Sequence, residues 1–167
     1  MKIGEHNILH PSVKYGKDVQ IGDFCTIAEG CEIGDGTVIR SYVELRKNTI
    51  IGEKCYIDSG VKTSGDCKIG NEVTLRYDTI IARDVEVEDR CFLAPQVMTN
   101  YSDPKGDKHP GTVIGAGSFI GTNTTIHHGV KICAGTTVGV KSFVNKDITE
   151  PGLYLGIPAT FKKKPKS

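Results

Sequence analysis

Residues 19–40 read VQIGDFCTIAEGCEIGDGTVIR, and a single spacing organises them. Ile21, Ile27, Ile33 and Ile39 stand six apart. Four residues after each of the first three comes a small side chain: Cys25, Cys31 and Thr37. The same ruler runs back to Ile3 and forward through Leu45, Ile51, Ile57, Thr63, Ile69, Leu75, Ile81 and Val87 to Leu93. It resumes at Ile114 and continues to Val144. Twenty of its 22 positions hold Ile, Leu or Val; Tyr15 and Thr63 are the exceptions. In the second register, from Asn7 to Ile148, 20 of 22 positions hold Val, Cys, Thr or Ser, so the interior is narrow.

A helix would repeat apolar residues at intervals of three and four, and no helix has a period of six. Period two inside each hexad and period six between hexads describe short strands joined by bends. Gly or Ala follows the large residue in 12 of 22 hexads, marking a bend or a close backbone approach. Three strands per coil close a triangular prism, and such coils stack about 4.8 Å apart as a parallel β-helix. Twenty-two hexads make about seven coils.

Composition narrows the function classes. Lys plus Arg is 21 and Asp plus Glu is 20, without the basic excess of a nucleic-acid binder. No apolar run is long enough to span a membrane, and the opening MKIGEHNILH lacks a signal peptide's apolar stretch. A cytoplasmic location is expected. Cys25, Cys31, Cys55, Cys67 and Cys91 all occupy the small inward register, and no CxxC occurs. They read as reduced core residues of a reducing compartment, not as disulfides or zinc ligands; no metal is expected.

The ruler breaks once. Leu93 and Ile114 lie 21 residues apart, which is not a multiple of six, and the text between them contains DPKGDKHPG. The reading is an all-β chain with a β-helix over 1–149, an excursion loop over 99–113, and a C-terminal cap and tail over 150–167. Met1–Ile8 and PGLYLGIPATF serve as end caps. A solenoid that holds register for 16 hexads and breaks once points to function at the break, against the alternative of a tolerated surface insertion.

The pattern of a large aliphatic, then Gly, then a small residue resembles the hexapeptide-repeat acyltransferase superfamily of left-handed β-helices. VMTNYSDPKG at 97–106 is similar to a segment of bacterial nucleotide-sugar N-acetyltransferases. HPSV at 10–13, the coils from Val113 to Ile148 and GIPA at 156–159 extend the likeness. The resemblance implies the left hand, a homotrimer with sites between subunits, and an acyl-coenzyme A co-substrate, here acetyl-CoA. It also implies an amino-sugar acceptor linked to a nucleotide, for surface polysaccharide synthesis, with no nucleic-acid or membrane partner.

Acetyl transfer from a thioester needs an unprotonated nucleophile and a fixed approach. A hydroxyl acceptor needs a general base, whereas an amine needs mainly orientation. Asn100, in the TN pair, is the candidate to position the amine, unless it only turns the chain out of the coil. His127 is the candidate base, and His109 and Tyr101 are candidate substrate contacts in or beside the excursion. Arg76 with Tyr77 could bind a phosphate or carboxylate. The simpler reading places Arg40, Asp58 and Arg76, three hexads apart, in an ion ladder. Another column at this spacing runs His10, Ala28, Arg46, Ser64, Ala82 and Asn100. The resemblance implies that the pantetheine arm of coenzyme A lies along the C-terminal coils between subunits, where Gly121, Ala134 and Gly139 are the small positions that would permit it. Lys141, Lys146 and Lys162 could meet its phosphates, with Pro158 in the GIPA exit. The last residues of FKKKPKS read as a solvated tail. Two alternatives remain: an O-acetyltransferase using His109 or His127 as base, and a non-catalytic β-helix scaffold.

Overall fold

Each hexad contributes one two-residue strand, and every third strand lies on the same side of a triangular prism. The computed structural model describes residues 1–101, 105–107 and 111–164. Sheet A begins with Lys2–Ile3 and Gln20–Ile21 and rises to Thr137–Val138. Sheet B runs from Ile8–Leu9 to Phe143–Val144, and sheet C from Lys14–Tyr15 to Lys131–Ile132. Neighbouring strands in each stack are parallel and in register from one coil to the next, as in Gln20↔Val38 and Ile21↔Ile39. The fold is a left-handed parallel β-helix of about eight turns, one more than the expected seven. Seven coils have all three sides, and the eighth has two.

Both registers point inward. Leu45, Ile57, Leu75, Ile81, Leu93, Ile114, Ile120 and Ile126 are fully buried, and the small positions stack between them. The small slot also has a donor role that size alone does not reveal. Cys25, Cys31 and Cys55 Sγ each reach a carbonyl of the next coil: Arg40 O at 3.1 Å, Arg46 O at 3.2 Å and Gly70 O at 3.0 Å. Thr37 and Thr124 make the same contact with Gly52 O and Gly139 O at 2.8 and 2.9 Å. Arg46 O accepts from Thr49 Oγ1 as well, at 2.7 Å. A corner carbonyl left unpaired beside the core would be costly. Cys, Thr and Ser therefore suit these slots as small donors. Asn7, an exception to the register, donates to Gly4 O and Gly22 O and accepts from Cys25 N.

Corners turn on a residue in the left-handed region. It is a non-glycine at Phe24, Tyr42, Asn48, Asp66, Asp84 and Arg90, among others. The glycine at the preceding bend has a different purpose. A Cβ on Gly34 would stand 2.5 Å from the carbonyl carbon of Gly52, so these columns are glycine because adjacent coils touch there.

Three expectations shift. Met98–Thr99 and Val113–Ile114 are both strands, and Thr99 is buried in an inward slot. The ruler therefore runs one hexad past Leu93, and the excursion is shorter than 99–113 at both ends. Met1–Ile8 does not cover the end of the prism. Its strands are the first rungs, and Ile3 remains 45% exposed. Of the expected cap and tail over 150–167, the cap is a pair of strands that extends sheet A and runs as far as Lys163; residues 165–167 lie outside the described residues. Leu153–Leu155 pairs in parallel with Thr137–Val138, and Thr160–Lys163 folds back antiparallel, with Phe161 edge-on to Tyr154 at 5.6 Å. No helix of the described residues is long and apolar enough to cross a membrane.

The six cysteines are free, and five are buried. Burial pushes the Cys67 and Cys91 thiols from 9.0 up to about 11. An unfolded chain would ionise them first, so their contribution to stability is full below pH 9 and is lost as pH rises towards 11. The urea midpoint should fall across that interval. At pH 8 the five buried thiols should react with a disulfide reagent only after unfolding, which absorbance of the released thiolate would measure.

Candidate functional site

The edge between sheets B and C concentrates the chemistry. Residues that follow each sheet B strand stack there, and the first of them form the column His10, Ala28, Arg46, Ser64, Ala82 and Asn100. The excursion leaves from this edge. Met98 pairs with Thr125 and Thr99 with Ile126, so the next member of the column is His127 and the one after is Asn145. Along the chain, Asn100 and His127 are separated by one coil and half of another, so a search at whole-coil steps parts them. The fold brings the two candidates onto adjacent coils.

Asn100 N donates to Ile126 O at 3.2 Å, so its backbone still belongs to the prism. Its side-chain Oδ1 is buried and accepts no hydrogen bond among the described residues. A buried amide oxygen without a donor costs free energy and is free to accept an N–H or O–H. The His127 ring lies 3.8 Å from that of His128 and meets Phe143 edge-on at 5.7 Å, which restricts its orientation. Tyr101 is half-buried and packs against the core. His109 lies outside the described residues.

On the N-terminal side of Asn100 the same edge carries a groove. One cavity of about 510 Å³ is lined by Ala28, Arg46, Lys47, Asn48, Ser64 and Arg83, among others. A second, of about 260 Å³, shares Glu44, Arg46, Ser64 and Arg83 with it and extends beneath Tyr101 over Lys62 and Ile80. Arg83 follows Ala82 in the corner. Sequence reasoning missed it, because a charged residue in an exposed bend carries no periodic signal.

The remaining candidates lie elsewhere. Arg76 and Tyr77 occupy the edge between sheets A and B. Arg76 Nε stands 2.9 Å from Asp58 Oδ2, in ion-pair contact but not in hydrogen-bond alignment, and its guanidinium lies 4.9 Å from the centre of the Tyr77 ring. Asp58 is 2% exposed, so Arg76 is held against a buried carboxylate. Arg40, the third member of the expected ladder, makes no ion pair among the described residues. The coenzyme candidates are dispersed over the last coils. Gly121, Gly139 and Lys141 share the A–B edge, Ala134 lies on the C–A edge, Lys146 on the B–C edge, and Pro158 and Lys162 in the terminal segment. A Cβ on Gly121 would sit 2.6 Å from Val140 N, so this glycine accommodates the next coil and leaves no free channel of its own. Among the described residues, no three His, Cys, Asp or Glu side chains gather as a metal site.

A family model described as the GMPPB C-terminal domain matches residues 3–105. A bifunctional protein GlmU from Nitratidesulfovibrio vulgaris is 37% identical over 76 residues, which are 44% of this chain and 16% of that protein. The chain thus spans about a sixth of the length of the curated relatives it matches. Among solved structures, UDP-N-acetylglucosamine O-acyltransferase (LpxA) from Moraxella catarrhalis superposes with a TM-score of 0.76 at 22% identity. The match covers 97% of this chain and 74% of that one. A point mutant of perosamine N-acetyltransferase from Caulobacter crescentus, in complex with CoA and GDP-perosamine, gives 0.55 at 20% identity. It covers 95% and 57% of the respective chains. At these identities the two structures establish the shared fold.

Arg76→Met separates structural from ligand roles at the A–B edge. Asp58 is buried but Arg76 is only partly so; removing it leaves the Asp58 charge uncompensated and should cost about 2 kcal/mol after screening by solvent. The expected result is a lower thermal midpoint with unchanged ligand affinity, read by circular dichroism and calorimetric titration.

Proposed function

Because the chain belongs to the GMPPB C-terminal domain family of β-helices, we propose that its B–C edge houses an acyltransferase site. The reaction moves an acyl group, acetyl in the simplest case, from coenzyme A to the amine of a nucleotide-linked amino sugar. The observation that carries this reading is the unpartnered, buried Oδ1 of Asn100 on the coil next to His127. An amide oxygen can accept a hydrogen bond but offers no proton. It therefore suits an acceptor that brings its own N–H, and it turns the nitrogen lone pair towards the thioester carbon.

In the step itself, the N–C bond forms as the C–S bond breaks. One amine proton passes to His127 and from it to the departing sulfur, giving an amide and free coenzyme A. His127 supplies the base that an ammonium-derived nucleophile needs. The solved relatives support the substrate classes: one is an acyltransferase named for UDP-N-acetylglucosamine, and another was crystallised with CoA and GDP-perosamine. Acetyl-CoA would lie along the C-terminal coils, where Gly121, Ala134, Gly139, Lys141, Lys146, Pro158 and Lys162 are the candidates to meet it.

These coenzyme candidates occupy all three edges, and a groove built from them needs more than one protomer. A homotrimer supplies it, because threefold closure repeats the same junction three times. The outer faces differ as such an assembly requires. Sheet C displays ion pairs, Lys14 with Glu32 at 2.6 Å and Lys68 with Glu86 at 3.1 Å. Sheet A displays Val38, Tyr56, Phe92 and Phe119, the last two stacked at 5.4 Å, with Phe119 42% exposed. Sheet A is the face to pack against a neighbour.

With acetyl-CoA and a panel of UDP- and dTDP-linked amino sugars, thiol release should appear for at least one sugar. Asn100→Ala should lower the rate about 100-fold, and His127→Ala should do the same while altering the pH profile. Full activity in Asn100→Ala would remove this residue from the site. Absence of both acetyl-CoA binding and thiol release would favour a scaffold. Phe119→Arg should convert a trimer into monomers in sedimentation equilibrium, with the fold preserved.

A further inference from the structure

Two inward slots on sheet B break the hydrophobic rule, and both break the ladder. At ordinary corners the amide after a strand donates to a carbonyl of the next coil, as in His10 N to Ile27 O, Ala28 N to Leu45 O and Ser64 N to Ile81 O. At Arg46 and Ala82 the amide turns instead to a side chain, Thr63 Oγ1 at 3.0 Å and Thr99 Oγ1 at 2.7 Å. Each of these steps retains one residue pair of the usual two, Lys62↔Glu44 and Ile80↔Met98. The corner between them departs as well. Gly65 takes a φ of +90°, and Asp84 N reaches Asp66 O. The 510 Å³ cavity opens at this disturbed corner.

Its charges are unevenly satisfied. Arg46 is paired with Glu44 at 2.9 Å and Lys47 with Glu29 at 2.6 Å. Arg83 Nη2 makes only a long contact to Ser64 O at 3.4 Å. Its Nε stands 3.6 Å from Asp66, beyond hydrogen-bond reach, and is buried without a hydrogen-bond partner among the described residues. Lys62 has no ion-pair partner among the described residues. The same cavity wall holds Arg83, Lys62 and Tyr101. A guanidinium with a loose counter-ion beside an ammonium outside any ion pair suits a phosphate, which accepts from both.

We propose that the threonine-opened groove is the subsite for the nucleoside diphosphate of the acceptor, with Arg83 as its principal contact and Thr63 and Thr99 as the residues that shape it. This rests on the acyltransferase reading for its substrate class. The groove lies on coils before Asn100, whereas the coenzyme candidates in the prism lie on coils after it, so the two substrates reach Asn100 and His127 from opposite ends of the rod.

Calorimetric titration with UDP, dTDP, GDP and acetyl-CoA tests the assignment on the full chain. The tightest of the three diphosphates should bind Arg83→Gln about tenfold or more weakly, while acetyl-CoA binds as before. Thr63→Val, which lets the Arg46 amide return to the ladder, should also weaken the diphosphate, with its thermal midpoint kept or raised. Unchanged diphosphate affinity in Arg83→Gln, loss of acetyl-CoA affinity instead, or no diphosphate binding to the wild type overturns the subsite. Failure of the two proposals can be told apart. Thiol release with Arg83-independent nucleotide binding leaves the enzyme reading standing alone. Arg83-dependent nucleotide binding without thiol release leaves only the subsite.

Discussion

The structure depends on one hydrogen bond repeated between coils, from the amide that follows each strand to the carbonyl facing it on the next coil, as in Ala28 N to Leu45 O. Such short strands hold almost nothing by themselves, and only the stack makes them cooperative. This bond fixes the rise of one coil as three hexads, and that step fixes which side chains lie above one another. Columns follow from it: large aliphatics over large aliphatics, bare glycine backbone over bare glycine backbone, and, where the small slot holds Cys or Thr, a sulfur or hydroxyl under the corner carbonyl. Thr63 and Thr99 divert that bond to a side chain on the edge that carries the groove.

The fold was legible because the packing constraint acts on every sixth residue and leaves few alternatives. Ile21, Ile27, Ile33 and Ile39 each announce the same slot, and no helix can imitate them. Thr63 was visible as an exception in that series, although its consequence was not, since diverting an amide is a matter of direction and not of hydrophobicity. The cysteines were readable as small and buried. Their role as donors to carbonyls of the coil above needed coordinates.

The site was legible in part. Asn100 stood out through its neighbours in the sequence, and His127 through its type. Their adjacency was hidden because the excursion inserts half a coil's length of chain between them. Arg83 left no trace at all, because its loose contact with Asp66, at 3.6 Å and out of hydrogen-bond reach, has no counterpart in the spacing of the chain. Arg76 shows the opposite case. An ion ladder was the simpler reading of its charge, and the buried Asp58 beneath it is the rung that forms among the described residues.

Stacking in columns also quantises chain length. Adding or removing three whole hexads advances every later side chain by one storey and returns it to the same face. Any other change inside a wall would rotate the remainder of the rod against its own core. Only a corner can absorb an odd remainder, because the chain there leaves and re-enters without shifting a column. The Asn100 corner does so, and the strands beyond it resume register at Val113–Ile114. Growth of such a rod thus separates into two modes: whole storeys that lengthen it, and corner outgrowths that can acquire new chemistry without disturbing the shaft.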